Sequence, residues 1–173
     1  DIWAAGDGGT VLHWTGTQWT PVSSAVTATL TGVWGTGGTV WIAGQGGVIL
    51  RWNGSQLVGE NTGTTAYFQA IWGASATDIW AVADGGQTQR WDGATWSNVP
   101  SATLSNLRGV WGSSASDLWA VGYSGSIIRW NGTQWQSTSS GNDSRVFHGM
   151  WGVAPNDAWL VGGTAGNTGR IWH

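Results

Sequence analysis

The stretch DLWAVGYSGSIIRWNGTQW at residues 117–135 holds three tryptophans in nineteen residues. Closely similar sequences occur at residues 78–96, DIWAVADGGQTQRWDGATW, and at residues 1–19, DIWAAGDGGTVLHWTGTQW. A regular recurrence of the largest aromatic side chain indicates a repeated core, a repeated binding surface, or both. The tryptophans elsewhere in the chain extend the same pattern.

All 17 tryptophans of the 173-residue chain belong to four series with a period of about 39 residues. Leu57 stands where the fourth series lacks a member. The series are Trp3, Trp41, Trp80, Trp119 and Trp159; Trp34, Trp72, Trp111 and Trp151; Trp14, Trp52, Trp91, Trp130 and Trp172; and Trp19, Trp96 and Trp135. A period of this length predicts one repeated structural unit per period.

Each complete unit contains four short pieces. In residues 104–140 these are LSNLRGVWG, LWAVG, SIIRW and TQWQSTSS, separated by Gly, Asn, Asp and Ser. Asn-Gly between two such pieces is a strong signal for a β-hairpin. Four strands in about 39 residues are typical of one β-propeller blade. LWAVG is apolar on both alternating faces, which predicts a strand covered by a neighbouring sheet on each side.

We therefore predict an all-β, five-bladed β-propeller that forms a single domain over residues 1–173. The blades cover residues 1–24, 29–62, 66–100, 104–141 and 146–173, and together they contain eighteen strands. The first blade lacks its first strand and the last blade lacks its fourth. A ring of five blades can close. However, the two ends of the given sequence cannot jointly complete one blade, as the two termini usually do in propellers. This count favours a fragment, or a homo-oligomer in which a partner chain lends strands.

Composition excludes several classes of partner. Only 9% of the residues are charged and the net charge is −3, so neither nucleic acid nor an anionic membrane surface is an expected partner. No apolar run has the length needed to cross a bilayer. The chain starts without Met, which indicates a mature product or a fragment. The absence of Cys and Lys and the low charge favour an exported protein, located outside the cell or on a cell surface.

The unit L-x-G-V-W-G…D-x-W-A-V-G-x-x-G-x-I-x-R-W-N-G-x-x-W resembles the Trp-rich propeller repeats of many bacterial surface and secreted proteins. It is also similar to the Asp-box repeats of sialidase-like propellers, on Asn131, Gly132 and Trp135. It departs from that motif because no residue separates Asn from Gly and because Arg replaces the first Ser or Thr. The resemblance implies a propeller fold. It also implies a lectin function, because small propellers with near-identical repeats often bind one sugar per blade.

The chain is not expected to be an enzyme. A sialidase-like site needs several Arg around a carboxylate, a Tyr nucleophile with a Glu partner, and an Asp acid. The only Glu, Glu60, and the two Tyr, Tyr67 and Tyr123, lie in different parts of different units. The three His show no metal-ligand spacing. No phosphate loop or nucleophile elbow occurs, so neither a cofactor nor a metal is expected.

The repeated charges allow two interpretations. Arg recurs before the tryptophan of the third strand, and Asp recurs at the start of the second strand, with Thr39 as the exception. The Arg residues are Arg51, Arg90 and Arg129, and the Asp residues are Asp78, Asp117 and Asp157. They form either a ring of sites for acidic sugars or ion pairs that tie neighbouring strands together. We favour the ion pairs.

Two sets of residues are candidates for ligand binding. The first occupies one equivalent position in the loops between the second and third strands, on a face that in propellers usually holds ligands; its members are Asp7, Gln45, Asp84 and Tyr123. The second consists of the tryptophans of the outermost strand, Trp19, Trp96 and Trp135, whose rings suit a sugar face. Packing between blades is the alternative for these tryptophans, and simple turn variation is the alternative for the loops.

The favoured function is non-catalytic binding by a lectin-like module with several weak, equivalent glycan sites. The first alternative is a protein-interaction or structural module of a bacterial surface protein, and the second is a degenerate sialidase-like hydrolase. Repeated polar residues beside exposed aromatics would favour the lectin. One asymmetric patch, for example around residues 163–169, would favour a protein partner. A central cluster of Arg and carboxylates would favour the enzyme.

Overall fold

A computed structural model describes residues 1–138, 144–164 and 168–173. Within these residues, eighteen strands form five antiparallel sheets in which consecutive strands are neighbours. Three sheets have four strands, while the first and the last have three. The predicted all-β fold of five repeated units is confirmed, including the two incomplete units. The end of the fourth predicted unit, residues 139–141, lies outside the described residues.

The strands follow the chain as five consecutive groups. Sheet 1 contains β1 (Ile2–Ala5), β2 (Val11–Trp14) and β3 (Trp19–Pro21). Sheet 2 contains β4 (Leu30–Thr36), β5 (Thr39–Gly44), β6 (Ile49–Trp52) and β7 (Leu57–Gly59). Sheet 3 contains β8 (Phe68–Ser75), β9 (Asp78–Ala83), β10 (Thr88–Trp91) and β11 (Trp96–Asn98). Sheet 4 contains β12 (Leu107–Ser114), β13 (Asp117–Gly122), β14 (Ile127–Trp130) and β15 (Trp135–Ser137). Sheet 5 contains β16 (Val146–Ala154), β17 (Asp157–Gly163) and β18 (Gly169–Trp172).

The second strand of each complete sheet is covered on both faces, as its composition predicts. In β13, Leu118, Ala120 and Val121 are fully buried although they point to opposite sides of the sheet. β12, β8 and β4 contact one another in succession, and β16 contacts β12. The sheets therefore stack face to face around a shared inner edge, which is the blade arrangement of a β-propeller.

Sheets 2 and 3, and sheets 3 and 4, are joined by what we call an indole clamp, in which two tryptophans of one sheet hold a tryptophan of the preceding sheet. Trp80 of sheet 3 lies 4.7 Å from Trp130 and 5.4 Å from Trp135 of sheet 4, measured between ring centroids. Trp41 of sheet 2 is held in the same way by two tryptophans of sheet 3. Tilted and edge-on aromatic contacts add to the burial of apolar area.

The clamp between sheets 4 and 5 is incomplete, because sheet 5 has no fourth strand among the described residues. A cavity of about 350 Å³ remains beside Trp119, and its lining includes Met150, Leu160 and His173. The outer faces of sheets 1 and 5 are exposed, so the five sheets form an arc with two free ends. Among the residues that the structure describes, no helix is long and apolar enough to cross a membrane.

A tight turn that begins with a candidate ligand residue joins the second and third strands. In sheets 1 to 3 it covers Asp7–Gly9, Gln45–Gly47 and Asp84–Gly86, and both glycines of each turn have positive φ. Gly86 has a φ of +70°, and a Cβ built there would overlap the backbone carbonyl oxygen of Thr103 in the connection to sheet 4. Only glycine fits this close approach.

We expect Gly86→Ala to lower the free energy of unfolding much more than Gly85→Ala. Both residues have positive φ, which costs a side chain about 1–2 kcal/mol. A Cβ at Gly85 would meet no atom within 4 Å, whereas one at Gly86 must displace backbone, which adds about 1–3 kcal/mol. Urea unfolding followed by tryptophan fluorescence measures both variants. Equal losses would contradict the close approach.

The hairpin turn of sheet 3 predicts a pH dependence. The carboxylate of Asp92 accepts backbone N–H bonds from Thr95 at 2.8 Å and from Ala94 at 2.9 Å, and these bonds lower the pKa of Asp92 below its usual 3.8. A lowered pKa in the folded state means that the unfolded chain binds more protons in acid. The contribution of Asp92 to stability is therefore present above about pH 4 and is lost as the pH falls through the lowered pKa.

Asp92→Asn should remove this acid-dependent loss and keep the turn. Asn131 occupies the same place in sheet 4 and accepts the same two backbone bonds with a neutral amide. The measurement is the urea midpoint of both proteins between pH 2 and pH 7. Parallel pH profiles would show that the turn does not depend on the carboxylate charge.

Candidate functional site

The repeated Arg and Asp residues tie strands together within each sheet. Nε of Arg90 lies 2.8 Å from Oδ1 of Asp78, and Nε of Arg129 lies 2.7 Å from Oδ1 of Asp117. Each guanidinium also lies over a tryptophan of the neighbouring strand, as Arg90 does over Trp80 at 5.2 Å. The interpretation as ion pairs is therefore confirmed. These Arg have their carboxylate within their own sheet, so they do not converge on one centre as a sialidase-like site would require.

Sheet 2 forms the same bridge with a different acid. Thr39 occupies the Asp position there, and Arg51 pairs instead with Glu60, at 2.6 Å between Nε and Oε1. Sequence reasoning did not find this partner, although Glu60 is the only Glu and lies in the one unit that lacks the Asp. In sheet 1 the pair is His13 with Asp1. In sheet 5 the pair is His173 with Asp157, at 2.9 Å between Nε2 and Oδ1.

The outer tryptophans lie mainly between the sheets. Trp96 is 8% exposed and Trp135 is 5% exposed, and each packs on the preceding sheet as part of an indole clamp. Neither ring has a free face for a sugar, so packing between blades, the alternative considered for them, is the arrangement that these two adopt. Trp19 differs, with 45% of its surface exposed, because no sheet among the described residues packs on this face of sheet 1.

The four candidate loop residues lie on one face of the arc, which we call the turn face. It consists of the turns beginning at these residues and the connections between successive sheets. The backbone N–H groups of Gln45, Asp84 and Tyr123 each donate to a carbonyl of the preceding connection, at 2.9, 3.1 and 2.9 Å. Asp7 and Gln45 are exposed, whereas Asp84 and Tyr123 are half-buried. The structure thus places all four at equivalent positions but in different surroundings.

Asp84 and Tyr123 belong to a hydrogen-bonded chain that crosses from sheet 3 to sheet 4. Nε2 of Gln69 donates to Oδ1 of Asp84 at 3.0 Å, and Nη1 of Arg108 donates to Oε1 of Gln69 at 2.9 Å. Nη2 of Arg108 donates to the hydroxyl oxygen of Tyr123 at 2.8 Å. The guanidinium carbon lies 4.9 Å from the centroid of the Tyr123 ring. The neutral amide of Gln69 therefore separates the carboxylate of Asp84 from the cation of Arg108.

Gln69 and Arg108 were missed by sequence reasoning, although a signal for them exists. They occupy the position three residues before the tryptophan of the first strand, where the repeat does not keep one residue type while its neighbours do. The residues at this position are Thr31, Gln69, Arg108 and His148. A variable place in an otherwise regular repeat indicates that side chains there serve something other than the shared packing.

Arg108 differs electrostatically from the Arg residues of the strand bridges. Among the described residues it makes no ion pair, and its Nε is buried without a hydrogen-bond partner. Its side chain is half-buried and is held in place by neutral groups. A guanidinium with unused donors beside an aromatic ring is suited to bind a carboxylate.

A cavity of about 530 Å³ adjoins this chain on the side of sheet 5. Its lining includes Tyr123, Ser144, Val146 and His148. Gly163, Thr164 and Gly169 also border it, which brings the described ends of the predicted 163–169 loop to this place; residues 165–167 lie outside the described residues. Among the described residues no cluster of His, Cys, Asp and Glu could hold a metal ion.

Comparison of the sequence with protein-family models gives no match, and neither does comparison with curated proteins. Solved structures that are similar are propellers. YCF48 bound to D1 peptide aligns with a TM-score of 0.69 at 17% identity, covering 99% of this chain and 59% of that chain. The computationally designed Ika8 protein gives 0.75 at 17%, covering 99% and 54%. The WD40 repeats of RRP9 give 0.75 at 11%, covering 99% and 58%.

This chain therefore spans less than two thirds of the length of these propellers. At such low identity the similarity shows the fold and nothing about the ligand. It supports the assignment of the chain as a propeller repeat protein.

We expect Trp96→Ala to destabilise the protein far more than Trp19→Ala. Trp96 fills an indole clamp, and emptying such a site costs about 3–5 kcal/mol. Trp19 is half-exposed and contacts one ring, Trp14, so its loss costs about 1 kcal/mol. Urea unfolding of the two variants provides the comparison. A small effect of Trp96→Ala would indicate that the outer tryptophans are not needed for packing.

Proposed function

We propose that this chain is a non-catalytic binding module that takes a partner protein on its turn face, with an acidic group of the partner against Arg108. The observation that carries the proposal is the environment of Arg108. Its guanidinium is oriented by Gln69 and Tyr123 and makes no ion pair among the described residues. Nη1 and Nη2 each use one N–H in these bonds, which leaves a second N–H on each for a ligand, whereas Nε is buried. A partner carboxylate would supply the missing countercharge.

The asymmetry of the turn face supports a protein partner over a repeated small ligand. Several equivalent sugar sites require the same side chains in each unit, but the four turn positions carry Asp, Gln, Asp and Tyr. The hydrogen-bonded chain joins only sheets 3 and 4, and the adjoining cavity follows it toward sheet 5. One continuous, unsymmetrical patch is the arrangement that a peptide or a protein surface can match.

The residues of the patch suit an interface. Arg and Tyr are enriched among the side chains that dominate binding energy, since they combine apolar area with directed hydrogen bonds. The bonds from Gln69 and Tyr123 already hold the guanidinium before a ligand arrives. Such preorganisation lowers the entropy lost on binding. The structure of YCF48 is described as bound to a peptide, so this type of fold can carry a peptide ligand.

Glycan binding is the second candidate. It is favoured by the polar side chains on one face, with Asp7 and Gln45 exposed beside glycine-rich backbone. The two candidates differ in stoichiometry. A glycan would occupy several turns, whereas the partner peptide would occupy one site around Arg108.

A random peptide library displayed on phage tests the proposal. Panning on the intact chain, with Arg108→Gln for counter-selection, should enrich peptides that carry Asp, Glu or a free carboxyl terminus. Removing one member of a desolvated charge pair costs about 2–5 kcal/mol. The selected peptides should therefore bind Arg108→Gln at least about tenfold more weakly, as measured by titration calorimetry with one site per chain.

Arg129→Gln is the matched control, because it removes the same charge from a strand bridge rather than from the turn face. Peptide affinity should not change in this variant. Peptides that lose affinity equally for both variants would mean that only net charge matters. Saturable binding on a glycan array, at several sites per chain and unchanged in Arg108→Gln, would overturn the protein partner in favour of the glycan.

A further inference from the structure

The outer face of sheet 5 exposes side chains that are buried in the other sheets. Trp159 is 44% exposed, whereas Trp80, its equivalent in sheet 3, is 0% exposed. Trp151 and Ile171 lie on the same face and are also exposed. Inside the arc, the next sheet covers this face with an indole clamp. Sheet 5 therefore presents the held half of a clamp without the half that holds it.

The outer face of sheet 1 presents the opposite half. Trp14 and Trp19 lie 5.7 Å apart, between ring centroids. The pair that holds Trp80 is 5.9 Å apart, and the pair that holds Trp41 is 6.0 Å apart. The clamp of sheet 1 is thus already formed, and no ring of the described residues lies between its members. Ile2, also exposed, continues this apolar face.

The outer face of sheet 1 also matches, residue by residue, the face of sheet 4 that packs on sheet 3. Sheet 4 packs on sheet 3 with one face of β13, β14 and β15, and sheet 1 carries the same kinds of side chain in register. The matching pairs are Ile2 and Leu118, Ala4 and Ala120, Leu12 and Ile128, Trp14 and Trp130, and Trp19 and Trp135.

A histidine stacked on Trp159 does not prevent docking. His173 lies 4.3 Å from Trp159 between ring centroids, and His13 lies at the same distance from Trp3 in sheet 1. Trp3 nevertheless packs against Trp52 of sheet 2 at 5.0 Å. The chain therefore contains one docked example of the Trp–His arrangement that sheet 5 leaves open.

We propose that the outer face of sheet 5 docks on the outer face of sheet 1 of a second copy of this chain, with Trp159 entering the clamp formed by Trp14 and Trp19. The contact is heterologous, because each copy uses a different face, and it extends the sheet stacking across the boundary between copies. It does not involve the turn face and does not rest on the proposed function.

Light scattering coupled to size-exclusion chromatography tests the docking. The chain should self-associate reversibly, with a mass of at least two copies at high concentration. Trp159→Glu and Trp19→Glu should each weaken the association by about tenfold or more, because each places a charge in one half of the clamp. Both residues are half-exposed, so the folded state should persist, and near-ultraviolet circular dichroism checks this.

Mixing the two variants is the decisive step. Each variant keeps the face that the other has lost, so an equimolar mixture should form a complex of two copies and grow no further. Leu104→Glu is the control, since Leu104 is 90% exposed but lies in the connection between sheets 3 and 4. Its association should equal that of the unmodified chain.

Three results would overturn the proposal. One is a single-copy mass at all concentrations, which would assign the two faces to something other than this chain. The second is an association that survives either clamp variant. The third is a mixture that stays single-copy, because a contact between two identical faces, unlike a head-to-tail contact, cannot be restored by mixing.

Discussion

Each sheet of this protein has two apolar faces and cannot bury either of them alone. The indole clamp solves this by making each sheet complete its neighbour: Trp80 belongs to sheet 3 by sequence but is buried by two rings of sheet 4. The stability of such an array is approximately a sum of the sheets and of their contacts with immediate neighbours. The close fit of the turns against the connections follows from the same demand, because the sheets must stack closely for the clamp to close.

The clamp also separates the structural part of the repeat from the part that is free to differ. Side chains between the sheets must keep their size and position, so the tryptophans recur with a nearly constant period. The turns and the position of Arg108 contribute no ring to a clamp, and there the units diverge. Arg108, Gln69 and Tyr123 can therefore form a local arrangement that no other unit needs to share.

The fold could be predicted from the sequence because its determinants are local or periodic. Trp spacing and Asn-Gly turns define the strands, and LWAVG shows burial on both faces, whichever sheet covers it. The environment of the outer tryptophans was harder to predict, because Trp19 and Trp135 have the same local sequence. Trp135 is buried because the preceding sheet covers it, whereas Trp19 is exposed because no described sheet does. The Gln69–Arg108 bond joins the same position of two neighbouring units, 39 residues apart. It links a cation to a neutral amide, so no pairing of opposite charges in the sequence indicates it.

The bridge between Arg51 and Glu60 bears on how duplicated units come to differ. If a unit lost its Asp first, a half-buried guanidinium would remain without an anion, which is destabilising. If a second acid was already within reach, the loss would cost little. The less damaging path is therefore that Glu60 was gained first and that Thr then replaced Asp at position 39. Sequence drift in this unit is then constrained in its order, with the cation retained and its acidic partner exchanged.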